Sequence, residues 1–447
     1  MSIATELTNL ATNRDAIKAA IEAKNPATAP GTGLASFPAA IASIPTGGGG
    51  AEPPEKDVIF IDYDGRILYS YTAAEAAQLT TLPPLPEHDG LTCQGWNYTL
   101  EEFAATVADV SEACVGAMYI TADGKSRIGI TVRDPKYATI TTQISQTVSN
   151  GVTVDWGDGS ATETASGTGT VTFSHTYAAP FPRSYVISFA VTSGTMKFEG
   201  NFMGNDGDSV TVPGVAWGAS VDFAHIGANV AAIGAGMFAR SAIKYVTIPN
   251  AGDVYRYRGS FLSNCELLGA FVYPRGVVTL GAYWLSSTNV RRCSIPGDMT
   301  SIEGDALYGN DLSRACLPNG LVLIKRCIRS SSTLRSVQVP STVTEIMDYA
   351  FSNCKALTRM AFPAGLTKIT DAVFNGCNGM KTFDFRRASA VPELTNVNAF
   401  SGVPADAEII VPDSLYESWI AATNWSDSSI VGKIVKASES SLGTLAS

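Results

Sequence analysis

The chain has 447 residues, 45% of them hydrophobic, with a net charge of −10 and only 16% charged residues. That length allows about three domains at ~150 residues each. The acidic balance excludes a generic nucleic-acid binder, which needs a basic footprint. With 3 histidines, His88, His175 and His225, far apart in sequence, there is little material for a His-based triad or metal site.

Residues 3–24 read as one amphipathic helix. Ile3, Leu7, Leu10, Arg14, Ile17, Ile21 and Lys24 step by fours and threes, a heptad seam with one polar intruder. Three heptads are too few for a stable isolated helix. The seam therefore predicts oligomerisation through Ile3, Leu7, Leu10, Ile17 and Ile21, with a trimer favoured. No cofactor and no metal is expected. The opening residues lack the basic start and apolar core of a secretory signal. No run approaches the ~18 apolar residues of a membrane span, so no membrane partner is expected. Residues 1–45 form this attachment segment, and TGGGGAEPPEK (46–56) is a Gly/Pro linker.

Residues 57–134 read as a small α+β domain. VIFIDYDG and RILYSYT predict one hairpin, and VGAMYIT–ADGK–SRIGITV a second. Thr72 with Glu75 and Thr99 with Glu102 are capping boxes that start two helices. Asp62, Asp64 and Asp89 gather near strand ends, where turns routinely carry Asp, so the turn reading is preferred to catalysis.

Residues 135–197 alternate Thr, Val and Ile with small polar residues and predict a β-sandwich. Trp156-Gly157-Asp158-Gly159, then His175-Thr176-Tyr177, then Tyr185-Val186-Ile187 resemble the polycystic-kidney-disease (PKD) type sandwich. The resemblance implies a spacer or binding module and no reaction. Asp155 and Asp158 read as turn-stabilising in preference to calcium ligands.

From residue 230 one pattern recurs every 22–23 residues, with prolines at 249, 274, 296, 318, 340 and 363 marking the period. Such a period predicts a solenoid in which neighbouring repeats bury one shared core. The pattern resembles the BspA-like leucine-rich repeats of bacterial and protist surface adhesins over residues 230–412; the solenoid is placed at 198–412. Cys265, Cys354 and Cys377 share one core position, where Ser241 and Thr288 stand in other copies. All 8 cysteines are expected as free thiols, buried as small apolar side chains, in a chain folded in a reducing compartment. Residues 413–447 form the C-terminal cap and tail: a helix with Asp413 at its N-cap and Leu415, Trp419 and Ile420 on one face, then a loose end.

The fold class is thus multi-domain and mainly β: a short N-terminal helix, a small α+β domain, a β-sandwich and a leucine-rich-repeat solenoid with a C-terminal capping helix. The order of parts, with IDYDGRILYSYTAAE (61–75), LTCQGWNYTLEE (91–102) and MYITADGKSRIGI (118–130), resembles tail-fibre or tail-tip proteins of tailed bacteriophages. That resemblance implies a non-enzymatic virion protein assembled in the host cytoplasm. It would join other tail proteins through its N-terminus and adhere to host surface polysaccharide or protein. An exported bacterial surface adhesin, or a head-decoration or collar protein, is the alternative. A receptor face is expected on residues 251–340, where ten basic residues stand against six acidic ones. Its candidates are Tyr255, Arg256, Tyr257, Arg258, Arg291 and Arg292.

Overall fold

In the first strand, VIFI, all four side chains are buried, the mark of a strand covered on both faces. In the computed structural model, which describes residues 53–199, 219–249, 259–276, 279–302 and 304–443, β1 (Val58–Ile61) pairs antiparallel with β2 (Ile67–Tyr71) as the first predicted hairpin. The N-terminal helix and its seam lie outside the described residues. β3 (Leu91–Trp96) and β4 (Ala113–Thr121) complete a four-stranded sheet of order β2-β1-β4-β3. The helix Leu100–Val110 packs Phe103 against Phe60 on one face of this sheet, at 5.4 Å between rings. Both capping boxes form; Thr99 N donates to Glu102 at 2.8 Å and Glu102 N returns to Thr99 at 3.2 Å.

The second predicted hairpin does not form. β4 pairs with β1 and β3, whereas β5 (Ser126–Val132) crosses into the sandwich. Ile128, Ile130 and Val132 alternate inward there and are fully buried, which the already covered β4 sheet has no face to offer. The sandwich continues with β6 (Thr139–Gln146), β7 (Val152–Asp155), β8 (Glu163–Thr164), β9 (Gly169–Thr176), β10 (Arg183–Val191), β11 (Met196–Glu199), β12 (Ala219–His225), β13 (Val230–Ile233) and β14 (Tyr245–Thr247). Its sheets have the orders β14-β12-β5-β10-β7-β8 and β13-β11-β6-β9. The last strand of each belongs to the first repeat: β13 lies parallel to β11, and β14 parallel to β12. The solenoid therefore grows directly out of the sandwich, and one hydrophobic core runs through both.

Each later repeat adds short parallel strands to two ladders. On one side Ala270–Val272 pairs with Arg292–Ser294, and a separate six-stranded sheet follows with Arg314–Cys316, Ser336–Gln338, Arg359–Ala361, Thr382–Asp384, Glu408–Val411 and Ile434–Lys436. The other includes Leu323–Lys325, Glu345–Met347, Lys368–Ile369 and Glu393–Leu394.

A left-handed residue recurs once per turn: Arg240, Asn264, Ser287, Gly309, Ser330, Asn353 and Gly376, with φ between 56° and 74°. Each donates its amide to a carbonyl of the next turn, as Asn264 does to Ser286 at 2.8 Å and Asn353 to Asn375 at 2.7 Å. The residue that follows points into the core, giving the row Ser241, Cys265, Thr288, Asn310, Ser331, Cys354 and Cys377. The cysteine ladder expected from sequence thus gains Asn310 and Ser331. Its thiols donate backward, Cys265 to Phe238 O at 3.0 Å and Cys377 to Phe351 O at 3.1 Å. A small polar side chain fits the position, so Cys, Ser and Thr recur there.

At the C-terminal end, Trp419 and Trp425 are fully buried against Phe385 and Phe400. The helix is only Tyr416–Ala421, preceded by a 3-10 turn, and Asp413 is not its N-cap. Instead Asp413 accepts from Ser438 N at 3.0 Å, fastening the segment after the last strand. The tail expected to be loose is held as far as Gly443, whose carbonyl accepts from Arg386 at 2.7 Å.

Two outcomes follow from the ladders. In Gly309→Ala the added Cβ would meet nothing closer than Ser287 Oγ at 3.6 Å, so only the left-handed backbone resists it. That substitution should cost ~1–2 kcal/mol in denaturant unfolding, and Ser330→Gly should shift the midpoint the other way. The eight thiols are free and only Cys93 is exposed. Burial pushes Cys265 up to about 11 and Cys327 and Cys377 to about 12. A thiol reagent at pH 8 should titrate one group in the folded chain and eight after unfolding; fast reaction of several groups would refute the burial.

Candidate functional site

The α+β sheet lies on the first parallel ladder, and the seam between them uses residues far apart in sequence. At its centre Asn97 is fully buried; its Nδ2 donates to Tyr273 O at 3.0 Å and its Oδ1 accepts from Gly116 N at 2.8 Å. Gly116 is required here, since a Cβ would stand 2.4 Å from Val272 Cγ1. At the rim Arg275 grips the Glu102 carboxylate with both terminal nitrogens, one at 2.9 Å. Glu55, at the end of the linker, reaches Arg314 at 2.8 Å and Arg292 at 3.2 Å. Burial pushes Glu55 up, but the two guanidiniums outweigh it and hold the carboxyl below its ordinary value.

These contacts engage one of the residues expected on the receptor face. Arg292 sits in the seam, donating also to Gly65 O at 2.9 Å, while Arg291 is exposed. Tyr255, Arg256, Tyr257 and Arg258 lie outside the described residues, as do Ile3, Leu7, Leu10, Ile17 and Ile21. Part of the basic excess of residues 251–340 is paired within the chain. Arg275, Arg292 and Arg314 meet Glu102 and Glu55, and Lys325 meets Asp348 at 3.5 Å, all acids outside that window.

An exposed aromatic and cationic face remains on the solenoid. A second left-handed row runs through Ser260, Tyr283, Asp305, Arg326, Tyr349 and Ala372, with φ from 50° to 67°. Left-handed backbone is rare for a bulky side chain. Yet Tyr283 and Tyr349 adopt it and are 48% and 39% exposed. Arg326 lies 5.6 Å from the Tyr349 ring centre, and Arg329 4.5 Å from that of Tyr308. Asp305 holds Arg329 in place at 3.0 Å. Its bonds raise the guanidinium above its ordinary value against burial, with Tyr308 and Tyr283 adding to the effect. No sequence motif marks these tyrosines; each follows a different neighbour and only the backbone row aligns them.

The carboxylate–imidazole pairs are structural in their contacts. His175 meets Asp158 at 2.8 Å and stacks on Trp156 at 4.9 Å, while Tyr177 donates to Trp156 O at 2.8 Å. Asp155 and Asp158 accept the turn amides of Gly157 and Ser160, at 2.9 and 3.0 Å. Asp62 is buried and binds His88 at 2.9 Å and Arg66 at 3.4 Å; Asp64 accepts from Arg66 N at 3.0 Å. His88 and His225 come to either side of Tyr63, at 5.1 and 5.8 Å between rings. Burial, with Arg127 and His88 nearby, pushes His225 down to about 4, so it is neutral at pH 7. Among the described residues no group of three or more His, Cys, Asp or Glu is placed to hold a metal ion, and no helix is long and apolar enough to cross a membrane.

Residues 218–313 and 300–418 match the BspA type leucine rich repeat region, in 6 copies. The repeat region is therefore of BspA type. No curated protein matches the chain. Among solved structures, a leucine-rich repeat protein from Bacteroides ovatus ATCC 8483 is similar at 21% identity and TM-score 0.35, over 44% of this chain. The chain spans 55% of that protein's length. A leucine rich cell surface protein from Faecalibacterium prausnitzii A2-165 is 15% identical, with 48% of this chain and 90% of that one covered, at TM-score 0.18. A leucine-rich repeat protein from Eubacterium ventriosum ATCC 27560 is 19% identical, with 42% and 58% covered, at TM-score 0.25.

The seam makes its own prediction. Asn97→Ala removes the partner of buried groups on both sides and should cost ~1–3 kcal/mol. Near-zero loss in thermal or denaturant unfolding would mean that the seam is not formed in solution.

Proposed function

We propose that this chain is a non-enzymatic adhesion protein that uses its BspA-type repeats to hold a cell-surface ligand. The observation that carries the reading is the exposed row of Tyr283, Arg326 and Tyr349, with Tyr308 and Arg329 beside it. Tyrosine faces pack against the C–H faces of sugars or apolar side chains while their hydroxyls bond outward. Two bulky residues kept in a costly backbone conformation, where glycine would sit without strain, point to a role in binding. The PKD-like sandwich then serves as a spacer that also closes the array.

The class we favour is a bacterial surface adhesin, because the repeats resemble those of such proteins. A second reading, a tail-fibre or tail-tip protein of a bacteriophage virion, is supported by the resemblance of residues 61–75, 91–102 and 118–130. In that reading the chain oligomerises through residues 1–45 and docks there on other tail proteins. Proteomics of purified virions against cell-wall fractions separates the two: the chain enriched in particles favours the tail reading, and in walls the adhesin.

The binding face is tested by Tyr283→Gly and Tyr349→Gly together. Glycine relieves the left-handed backbone, so the variant should unfold no earlier than the parent. Its adsorption to the cells that the parent binds should fall at least tenfold. A stable variant with undiminished adsorption would remove the tyrosine row from the binding face.

A further inference from the structure

One row of the parallel ladder carries basic side chains on several turns. Ala270 pairs with Arg292, Arg314 with Ser336, and Arg359 with Thr382. Rungs of such a ladder stand ~4.8 Å apart. The chain already shows what this row accepts: the single carboxylate of Glu55 bridges Arg292 and Arg314.

At the C-terminal end of the helix Leu100–Val110 a groove of about 420 Å³ opens between the α+β domain and the solenoid. Four arginines, Arg335, Arg359, Arg386 and Arg387, line it against two aspartates, Asp109 and Asp384. Asp384 is committed to Arg386 at 2.8 Å and Arg359 at 3.0 Å, and Asp109 accepts from Ser341 N at 2.7 Å. Arg335 and Arg387 are exposed and have no ion-pair partner among the described residues. The groove is thus locally positive in a chain of net charge −10.

We propose that this groove binds a carboxylated polysaccharide, with uronate carboxylates resting on Arg335, Arg359 and Arg387 as Glu55 rests on Arg292 and Arg314. A guanidinium fork matches a carboxylate with two parallel bonds. An acidic peptide fits less well. The floor strand Arg359–Ala361 is paired on both sides, by Ser336–Gln338 and Thr382–Asp384, so no strand edge is free for a peptide backbone. Thr358 instead offers an exposed hydroxyl at the groove wall, a group that suits sugar hydroxyls. This site is separate from the tyrosine row.

The test is calorimetric titration of the full chain with polygalacturonate, its carboxyl-reduced form and poly-glutamate. Polygalacturonate should bind, more weakly as salt rises, and the reduced polymer should not. Arg335→Glu with Arg387→Glu should weaken binding at least tenfold while leaving the unfolding midpoint in place. Lys355→Glu, an exposed change outside the groove, should have little effect. Equal affinity in the double variant, absence of polygalacturonate binding, or tighter binding of poly-glutamate would each overturn the proposal. Cell adsorption measured on the same double variant keeps the two sites distinguishable, because the tyrosine row is intact in it.

Discussion

The pairing of β13 on β11 and of β14 on β12 is the contact on which the rest of the molecule depends. A stack of repeats buries each turn against its neighbours but leaves an apolar face at either end. Here the first turn extends the two sheets of a sandwich, so Val230, Ile233 and Val246 are buried in a core already built by Ile128, Phe189 and Phe198. The far end is closed differently. Trp419 and Trp425 lie 5.5 Å apart over Phe385 and Phe400, and the Trp425 indole donates to Pro392 O at 2.8 Å. One end is sealed by continuous hydrogen-bonded sheet, the other by aromatic bulk.

Between the ends, each turn solves the same problem of reversing direction inside about 22 residues. The left-handed residue makes the bend, and its amide is satisfied by the next turn, so the strain at one position is offset by a bond to its neighbour. The inward polar row behind it is more costly, because a buried donor must find an acceptor. Cys265, Thr288, Cys354 and Cys377 find carbonyls. Asn310 Nδ2 and Ser331 Oγ are buried without a partner. Sulfur suits the row because it loses least when its bond is long, as at 3.4 Å for Cys354.

How much of this was legible depended on the range of the signal. The prolines marking the period, the capping boxes at Thr72 and Thr99, and the shared position of Cys265, Cys354 and Cys377 are local or periodic features, and the fold follows them. Partners distant in sequence were not legible. The pattern of β5 reads as a strand with one apolar face, but nothing local says that the face belongs to β10 and β12 and not to a hairpin with β4. Likewise Glu55 looks like a linker residue until Arg292 and Arg314 are seen to hold it, and Asp413 looks like a helix cap until Ser438 is seen to claim it. Arg292 is a further case, since a charge count over a sequence window cannot see Glu55 folding in from outside it.

The same accounting explains why a few side chains dominate the outer surface. Only 16% of the residues are charged, and many of the solenoid's cations are neutralised within the chain. Against so quiet a background, a cation without a partner sets the local field on its own, and its reach is the ~8–10 Å of the Debye length. Arg335 and Arg387 fall within one groove, while the tyrosine row has its arginines tied to Asp305 or laid on rings. The groove is therefore marked by charge and the row by aromatic faces. A repeat core that fixes the backbone leaves outward positions free to differ from turn to turn, which is how one stack can carry two surfaces of unlike chemistry.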